Sequence, residues 1–331
     1  MMRFRSLVKP LTFALLLLGW LPGRGATDAR ASDAIPASTP GAGAVSPPVL
    51  GCGSVVQGSA TLAADLTGCS GVGLRVAAGA SLDCAGHAIT GSGVMYGVLL
   101  DGATGALVSN CRVSNFSRGV RIDGGSGNTI TGSELFSNLN YGLELAGATS
   151  GNSIEDNVVH DNHDEGIHVG TGAAGNMLSG NQILRSAVEN LYLLSSTGNV
   201  VTGNTIAGSR SAAIYVKHTT DSTFSGNTVS DGPILVRGDS FGNSFQNNEL
   251  DGTGYGFRFK AYLQPGIGWT FPHDNSVTGG SMLSKRVCFS FAGAYDNQAS
   301  QVTARRCAAA VRSTLGRQRS TGDVVELIRV P

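Results

Sequence analysis

Four side chains capable of acid–base work recur at nearly even intervals: Glu144, His168, Tyr192 and Tyr215. Lys217, Arg237, Arg258 and Lys260 follow, and Arg121 precedes them. Removing a proton from the carbon beside a carboxylate needs a base, an acid on the other side and a cation on the carboxylate. This series holds all three, which suits β-elimination or C5-epimerisation of a uronic acid. His168 would act as the base and Tyr192 or Tyr215 as the acid or second base, with Glu144 in the same row. Lys217 or Arg237 would hold the sugar carboxylate and stabilise the carbanion-like transition state. Arg121, Arg258 and Lys260 would bind neighbouring parts of the chain. The plainer reading is that these residues decorate an exposed sheet, since tyrosine favours strands.

The elements that would position them are set by a repeat of about 23 residues, the mark of a solenoid. Gly142-Leu143-Glu144-Leu145 returns as Gly166-Ile167-His168-Val169, and related phrases begin at Gly73, Gly97, Gly119, Asn190, Ala213, Pro233, Gly256 and Cys288. One copy cannot bury its own apolar face, so copies must stack. Alternation within each phrase sends the aliphatic residues inward and the residue between them outward. The second outward column includes Asp101, Asp123, Lys217, Arg237 and Lys260. Each copy carries a further apolar pair, such as Ile154 and Val159. Two Asn columns accompany these pairs, one through Asn128, Asn152, Asn176, Asn199 and Asn243, the other through Asn157, Asn181, Asn204, Asn227 and Asn248. Asn tolerates the left-handed backbone of a sharp turn, and stacked amides hydrogen-bond along a column. The expected fold class is all-β: a single-stranded right-handed parallel β-helix of about ten rungs. Neighbouring strands about 4.8 Å apart would spread Glu144 to Tyr215 over roughly 14 Å.

Composition fits that fold and limits the partners. Among 331 residues, 48 are Gly and only 14% are charged, as short strands and tight turns require. A formal net charge of zero gives no electrostatic case for nucleic acid or an anionic membrane. Arg3, Arg5 and Lys9 followed by the apolar run Leu11 to Leu18 and small residues predict an export signal over 1–31. An Ala/Ser/Pro/Gly-rich linker over 32–50, a β-helix over 51–307 and a basic tail or cap over 308–331 follow. The chain is thus expected to be secreted or periplasmic, monomeric, and off the membrane once the signal is removed. Six cysteines, Cys52, Cys69, Cys84, Cys111, Cys288 and Cys307, then predict disulfides. Sequence neighbours would pair Cys52 with Cys69, Cys84 with Cys111 and Cys288 with Cys307, although connectivity does not follow from sequence alone.

The run Leu82-Asp83-Cys84-Ala85-Gly86-His87-Ala88-Ile89, then Asn110-Cys111 and the Asn-punctuated copies, resembles the right-handed parallel β-helix repeat proteins. Their relatives include NosD-like copper-accessory proteins, alginate epimerases and many polysaccharide lyases. The resemblance spans roughly 51–307 and implies the fold and a polysaccharide partner, with no cofactor. Phe271-Pro272-His273-Asp274 matches the last three members of the epimerases' Asp-Pro-His-Asp motif, with Phe271 in place of the leading acid. It follows an insertion, Tyr262 to Thr270. Asn162-His163-Asp164 matches only the His-Asp pair. The polygalacturonase pattern is absent.

Two other roles compete. A non-catalytic carbohydrate-binding or envelope-surface module would use the same groove. A NosD-like metal role would draw on His160, His163 and Asp164, since imidazole and carboxylate suit transition metals. Asp101 and Asp123, stacked on consecutive rungs, offer carboxylates to Ca²⁺, with Arg121 close enough to neutralise them.

Overall fold

The computed structural model describes residues 49–252, 254–284, 286–313 and 321–329. The expected export signal and almost all of the linker lie outside these residues. No helix among them is long and apolar enough to cross a membrane.

Among the described residues every secondary-structure element is a strand, and consecutive coils pair in parallel. One strand of each coil joins a twelve-stranded sheet that runs from Ser54–Val56 to Ala309–Ser313. The other two strands stack in two further columns, as where Ser153–Glu155 pairs with Met177–Ser179 and Val158–His160 with Gln182–Leu184. The solenoid therefore has about two more turns than the repeats alone suggest. Ser54–Val56 precedes the first repeat phrase at Gly73, and Ala309–Ser313 and Val324–Arg329 occupy the segment expected as tail or cap.

The alternation of the repeat explains the core. Leu143, Leu145, Ile167, Val169, Leu191 and Leu193 point inward and are buried, as are Ile154, Val159, Leu178 and Ile183 from the other two faces. Each such side chain contributes about 1.5–3 kcal/mol by leaving water. Toward the C-terminal end phenylalanines take over, with Phe257 stacked on Phe289 and Phe259 on Phe291.

Both Asn columns are hydrogen-bonded ladders. Asn157 Nδ2 donates to Asn181 Oδ1 at 3.1 Å, Asn181 to Asn204 at 2.9 Å and Asn204 to Asn227 at 2.9 Å. The first column runs on through Asn275 and Asn297 to Asp323, with Ser222 replacing Asn in one coil. The structure corrects the turn argument, however. The left-handed residue is the one before each ladder Asn, for example Gly151 (φ 58°) before Asn152 and Asp156 (φ 55°) before Asn157. That residue turns the chain, and the Asn that follows fastens the turn to its neighbours through its amide.

Three disulfides join Cys52 to Cys69, Cys84 to Cys111 and Cys288 to Cys307. These are the sequence-neighbour pairs. Cys84–Cys111 ties adjacent coils together where the Asn ladders have not yet begun.

Candidate functional site

The outward column is in register along the twelve-stranded sheet. Arg121 lies beside Glu144, Glu144 beside His168, His168 beside Tyr192, and Tyr192 beside Tyr215. Leu235, Arg258, Ser290 and Arg312 continue it. Lys217, Arg237 and Lys260 form the second column. The groove is thus a strip of side chains one strand apart, graded from compensated charge through aromatic rings to free cations.

At the first end, Glu144 is buried and held by two guanidiniums. Arg118 Nε lies 2.6 Å and Arg121 Nη1 2.5 Å from the same oxygen, Oε2. Arg121 also grips Asp123 at 2.8 Å. Glu144 therefore orients arginines instead of standing free as a base, and Arg121 is internally neutralised. The same contact occupies Asp123, one of the two stacked aspartates.

The middle is aromatic. The His168 ring stacks on Tyr141 with centroids 4.7 Å apart and meets the edge of Tyr192 at 5.2 Å; Tyr192 stacks on Tyr215 at 4.8 Å. His168 is 9% exposed. Burial, helped by the positive charges of Arg118 and Arg121, pushes its pKa down to about 4, so the imidazole is neutral at neutral pH. Burial raises the pKa of both Tyr192 and Tyr215, which keeps the phenols protonated. Glu165, three residues before His168, is pushed up to about 8 by burial and by the neighbouring Asp164 and Glu189 carboxylates. Its Oε2 and the Nδ1 of His168 are both buried without hydrogen-bond partners, 3.9 Å apart.

The far end is cationic. Lys217, Arg237, Arg258, Lys260 and Arg312 have no carboxylate partner among the described residues. The charges of Arg237 and Arg258, after burial, lower the Lys260 pKa. A cavity of about 230 Å³ is lined by Tyr255, Arg258, Lys260, Ser290 and Arg312. The insertion at 262–270 forms an antiparallel hairpin, Tyr262–Gln264 with Gly268–Thr270. It lays the Tyr262 ring over both Lys217 and Arg237.

The His/Asp cluster is dispersed. His160 sits in another strand column, engaged by Glu134 at 3.1 Å and Asp161 at 2.7 Å and stacked on Phe136. His163 is exposed in a turn, and Asp164 hydrogen-bonds Glu165. No group of three or more His, Cys, Asp or Glu side chains among the described residues is arranged to hold a metal ion. His87 bonds Asp65 at 3.0 Å, away from the groove. His273 of the epimerase-like run is stacked between Phe241 and Tyr295.

Sequence reasoning missed Arg118, Tyr141 and Glu189, and it saw Glu165 only as a neighbour of the His/Asp cluster, with no role in the groove. All four sit two residues before the first inward aliphatic of their phrase, so extending the alternation upstream would have found them. It also left Arg312 in a frayed tail, although that residue ends the cationic row.

The fold is a right-handed parallel β-helix. Residues 96–250 match the family model for a right handed beta helix region. No curated protein sequence matches the chain. Among solved structures it is similar to the Dettilon tailspike protein gp208 (TM-score 0.59, 11% identity, 83% of this chain and 60% of that one). It is also similar to the A-module of the mannuronan C-5 epimerase AlgE6 of Azotobacter vinelandii (0.53, 14%, 86% and 83%). A third is the catalytic domain of a GH87 α-1,3-glucanase in complex with nigerose (0.53, 13%, 84% and 64%). Identities this low speak to the fold alone, and the chain spans less than two thirds of the tailspike and glucanase chains.

Proposed function

We propose that this is an exported protein that binds an acidic polysaccharide along the twelve-stranded sheet and carries out lyase or C5-epimerase chemistry at His168. The observation that carries the reading is the set of five cations without carboxylate partners among the described residues, laid beside a neutral imidazole and two protonated phenols. In a chain of zero net charge, such a set fits an anionic polymer. That the same fold carries a mannuronan C-5 epimerase and an α-1,3-glucanase supports a sugar polymer as the ligand class. The three disulfides suit an oxidising compartment.

In this reading Lys217 and Arg237 bind the uronate carboxylate. His168 takes the C5 proton, and the electron pair of the C–H bond passes into the neutralised carboxylate as an enolate-like species. Collapse of that species forms the C4–C5 double bond and expels the C4 oxygen, which takes its proton from Tyr192 or Tyr215. Reprotonation of C5 from the opposite face gives epimerisation instead. Glu144 serves by fixing Arg118 and Arg121.

One observation favours a second reading, a binding module without turnover: His168 is 9% exposed and packed between two rings, so a substrate must displace or reach past an aromatic neighbour. The test is ultraviolet absorbance of the unsaturated product on alginate, pectate and glycosaminoglycans, with proton exchange at C5 in deuterated water beside it. Turnover in the wild type that is lost in His168→Ala, with affinity largely kept, supports the enzyme. Binding without either signal leaves the module, and no binding to any anionic polymer overturns both readings.

A further inference from the structure

Two buried polar atoms face each other in the groove without a hydrogen-bond partner: Oε2 of Glu165 and Nδ1 of His168, 3.9 Å apart. Glu165 is 6% exposed and His168 9%. Buried groups of this kind are rare in folded proteins and call for a reason. Both residues sit on one short stretch of chain, where Gly166 admits no side chain. A Cβ there would fall 2.6 Å from the Asn190 carbonyl oxygen. The stretch is fixed above and below by backbone hydrogen bonds from Gly142 N to Glu165 O and from Gly166 N to Glu189 O. The placement of the two atoms is therefore set by the coil and not by a loose loop.

The other edge of the imidazole lies against a glycine. In the second outward column the position between Ala146 and Leu194 is Gly170, where an added Cβ would lie 3.0 Å from the Leu145 carbonyl oxygen and 3.4 Å from both Cδ2 and Nε2 of His168. Nε2 thus borders a notch that neighbouring coils fill with side chains, while Nδ1 looks back at Glu165. Glu165 is in turn hydrogen-bonded to Asp164, and that contact favours the proton on Glu165 and the charge on Asp164.

We infer that Glu165, backed by Asp164, is a positioning residue for His168: its Oε2 is the acceptor that Nδ1–H faces across 3.9 Å, which favours the Nδ1–H tautomer and so presents the lone pair of Nε2 to a sugar in the Gly170 notch. The inference rests on the reading of His168 as the base. When Nε2 takes a proton, the resulting imidazolium lies beside a carboxyl pair that carries one negative charge, and no proton need leave the site. Arg118 and Arg121 oppose that charge, Tyr141 and Tyr192 cover the ring, and Glu189 adds a further carboxylate nearby.

The test is the ¹⁵N spectrum of the histidine side chains of the full chain, recorded across neutral pH without sugar, with His168→Gln assigning the signal. The expected wild-type signal is that of the Nδ1–H tautomer. Glu165→Leu is expected to shift the population toward Nε2–H, and Glu165→Gln, whose amide oxygen can still accept, to restore Nδ1–H. Thermal melts establish that each variant is folded. An Nε2–H signal in the wild type, or a tautomer that is unchanged in Glu165→Leu, overturns the inference. Because no substrate is used, this result stands apart from whether the protein turns over any polymer. A confirmed tautomer with no turnover would defeat only the catalytic reading. Gly170→Ala supplies the companion measurement: it should leave the tautomer alone and weaken oligouronate binding, and unchanged binding would remove the notch from the proposal.

Discussion

Lys217 Nζ lies 4.0 Å from the centre of the Tyr262 ring, and the Arg237 guanidinium lies 4.8 Å from the same ring. One aromatic side chain on an inserted hairpin therefore covers two cations that have no carboxylate partner among the described residues. Contacts of this kind are worth about 0.5–2 kcal/mol each, more when desolvated. They hold the hairpin against the sheet while its Leu263, Ile267 and Trp269 side chains remain exposed. Tyr262→Ala should speed hydrogen exchange in the hairpin amides several-fold and change the melting temperature of the solenoid little. Hydrogen–deuterium exchange with a thermal melt checks both.

The free cations predict the binding pattern. Arg237→Ala and Lys217→Ala should each weaken an anionic oligosaccharide by roughly tenfold, about 1.4 kcal/mol. Arg121→Ala should weaken it less, because its charge is already balanced by Glu144 and Asp123. The loss should shrink as salt is raised, since screening removes part of what the cations contribute. Calorimetric titration at two ionic strengths decides the order. Equal losses at all three positions would argue against the row of cations as the binding determinant.

The Asn ladders should dominate stability. Asn181 donates to Ile154 O and Asn204 Oδ1 and accepts from the backbone and side chain of Asn157. Asn181→Ala leaves several buried groups unsatisfied, at about 1–3 kcal/mol for each. In the first ladder Ser222 offers no acceptor to Asn199 Nδ2, which donates to Ala173 O at 3.4 Å. Ser222→Asn should therefore stabilise by about 1 kcal/mol. Melting temperatures of the two variants should move in opposite directions.

Glu165 and His168 pull stability in opposite senses with pH. The Glu165 carboxyl titrates near 8 in the folded chain against an ordinary value of 4.5. Its contribution is full below about 4.5 and is lost as pH rises through about 8. His168 is pushed down to about 4 from 6.5, so its contribution is present above 6.5 and lost as pH falls through about 4. Glu165→Gln should lose little at low pH and gain on the wild type as pH rises from about 4.5 to about 8. Denaturant unfolding at several pH values measures this, and a constant difference between the two proteins would show that Glu165 is not buried as described.

The fold could be read from the sequence because its causes are local and repeated. The Leu143–Leu145 alternation and the Asn spacing recur often enough that one coil predicts the next. The disulfide pairs agreed with the same logic. The ends were harder to read, since Ser54 stands where the central coils carry an inward aliphatic, and Ala308 rather than glycine precedes Ala309–Ser313. The outward row at Glu144, His168, Tyr192 and Tyr215 followed from period two alone. What the row does to its members did not: nothing in Glu144 itself announces that Arg118 lies against it across one coil. Likewise the pairing of Glu165 with His168 needs the turn geometry that points both side chains to one spot, and the descent of the 262–270 hairpin onto Lys217 is a long-range contact with no echo elsewhere in the repeat.

The residue before each ladder Asn, left-handed in coil after coil, has a further consequence for how such a protein changes over time. Residues can be gained between the ladder turns of a coil, as the 262–270 hairpin shows by leaving the Asn243–Asn275 bond intact across it, while duplication or deletion of one complete coil preserves every ladder contact at once. The length of the sheet available to a ligand is thus quantised in steps of about 4.8 Å. Variation in the size of the bound polymer segment should arise by copying whole units, and variation in its chemistry by single exchanges in the outward column.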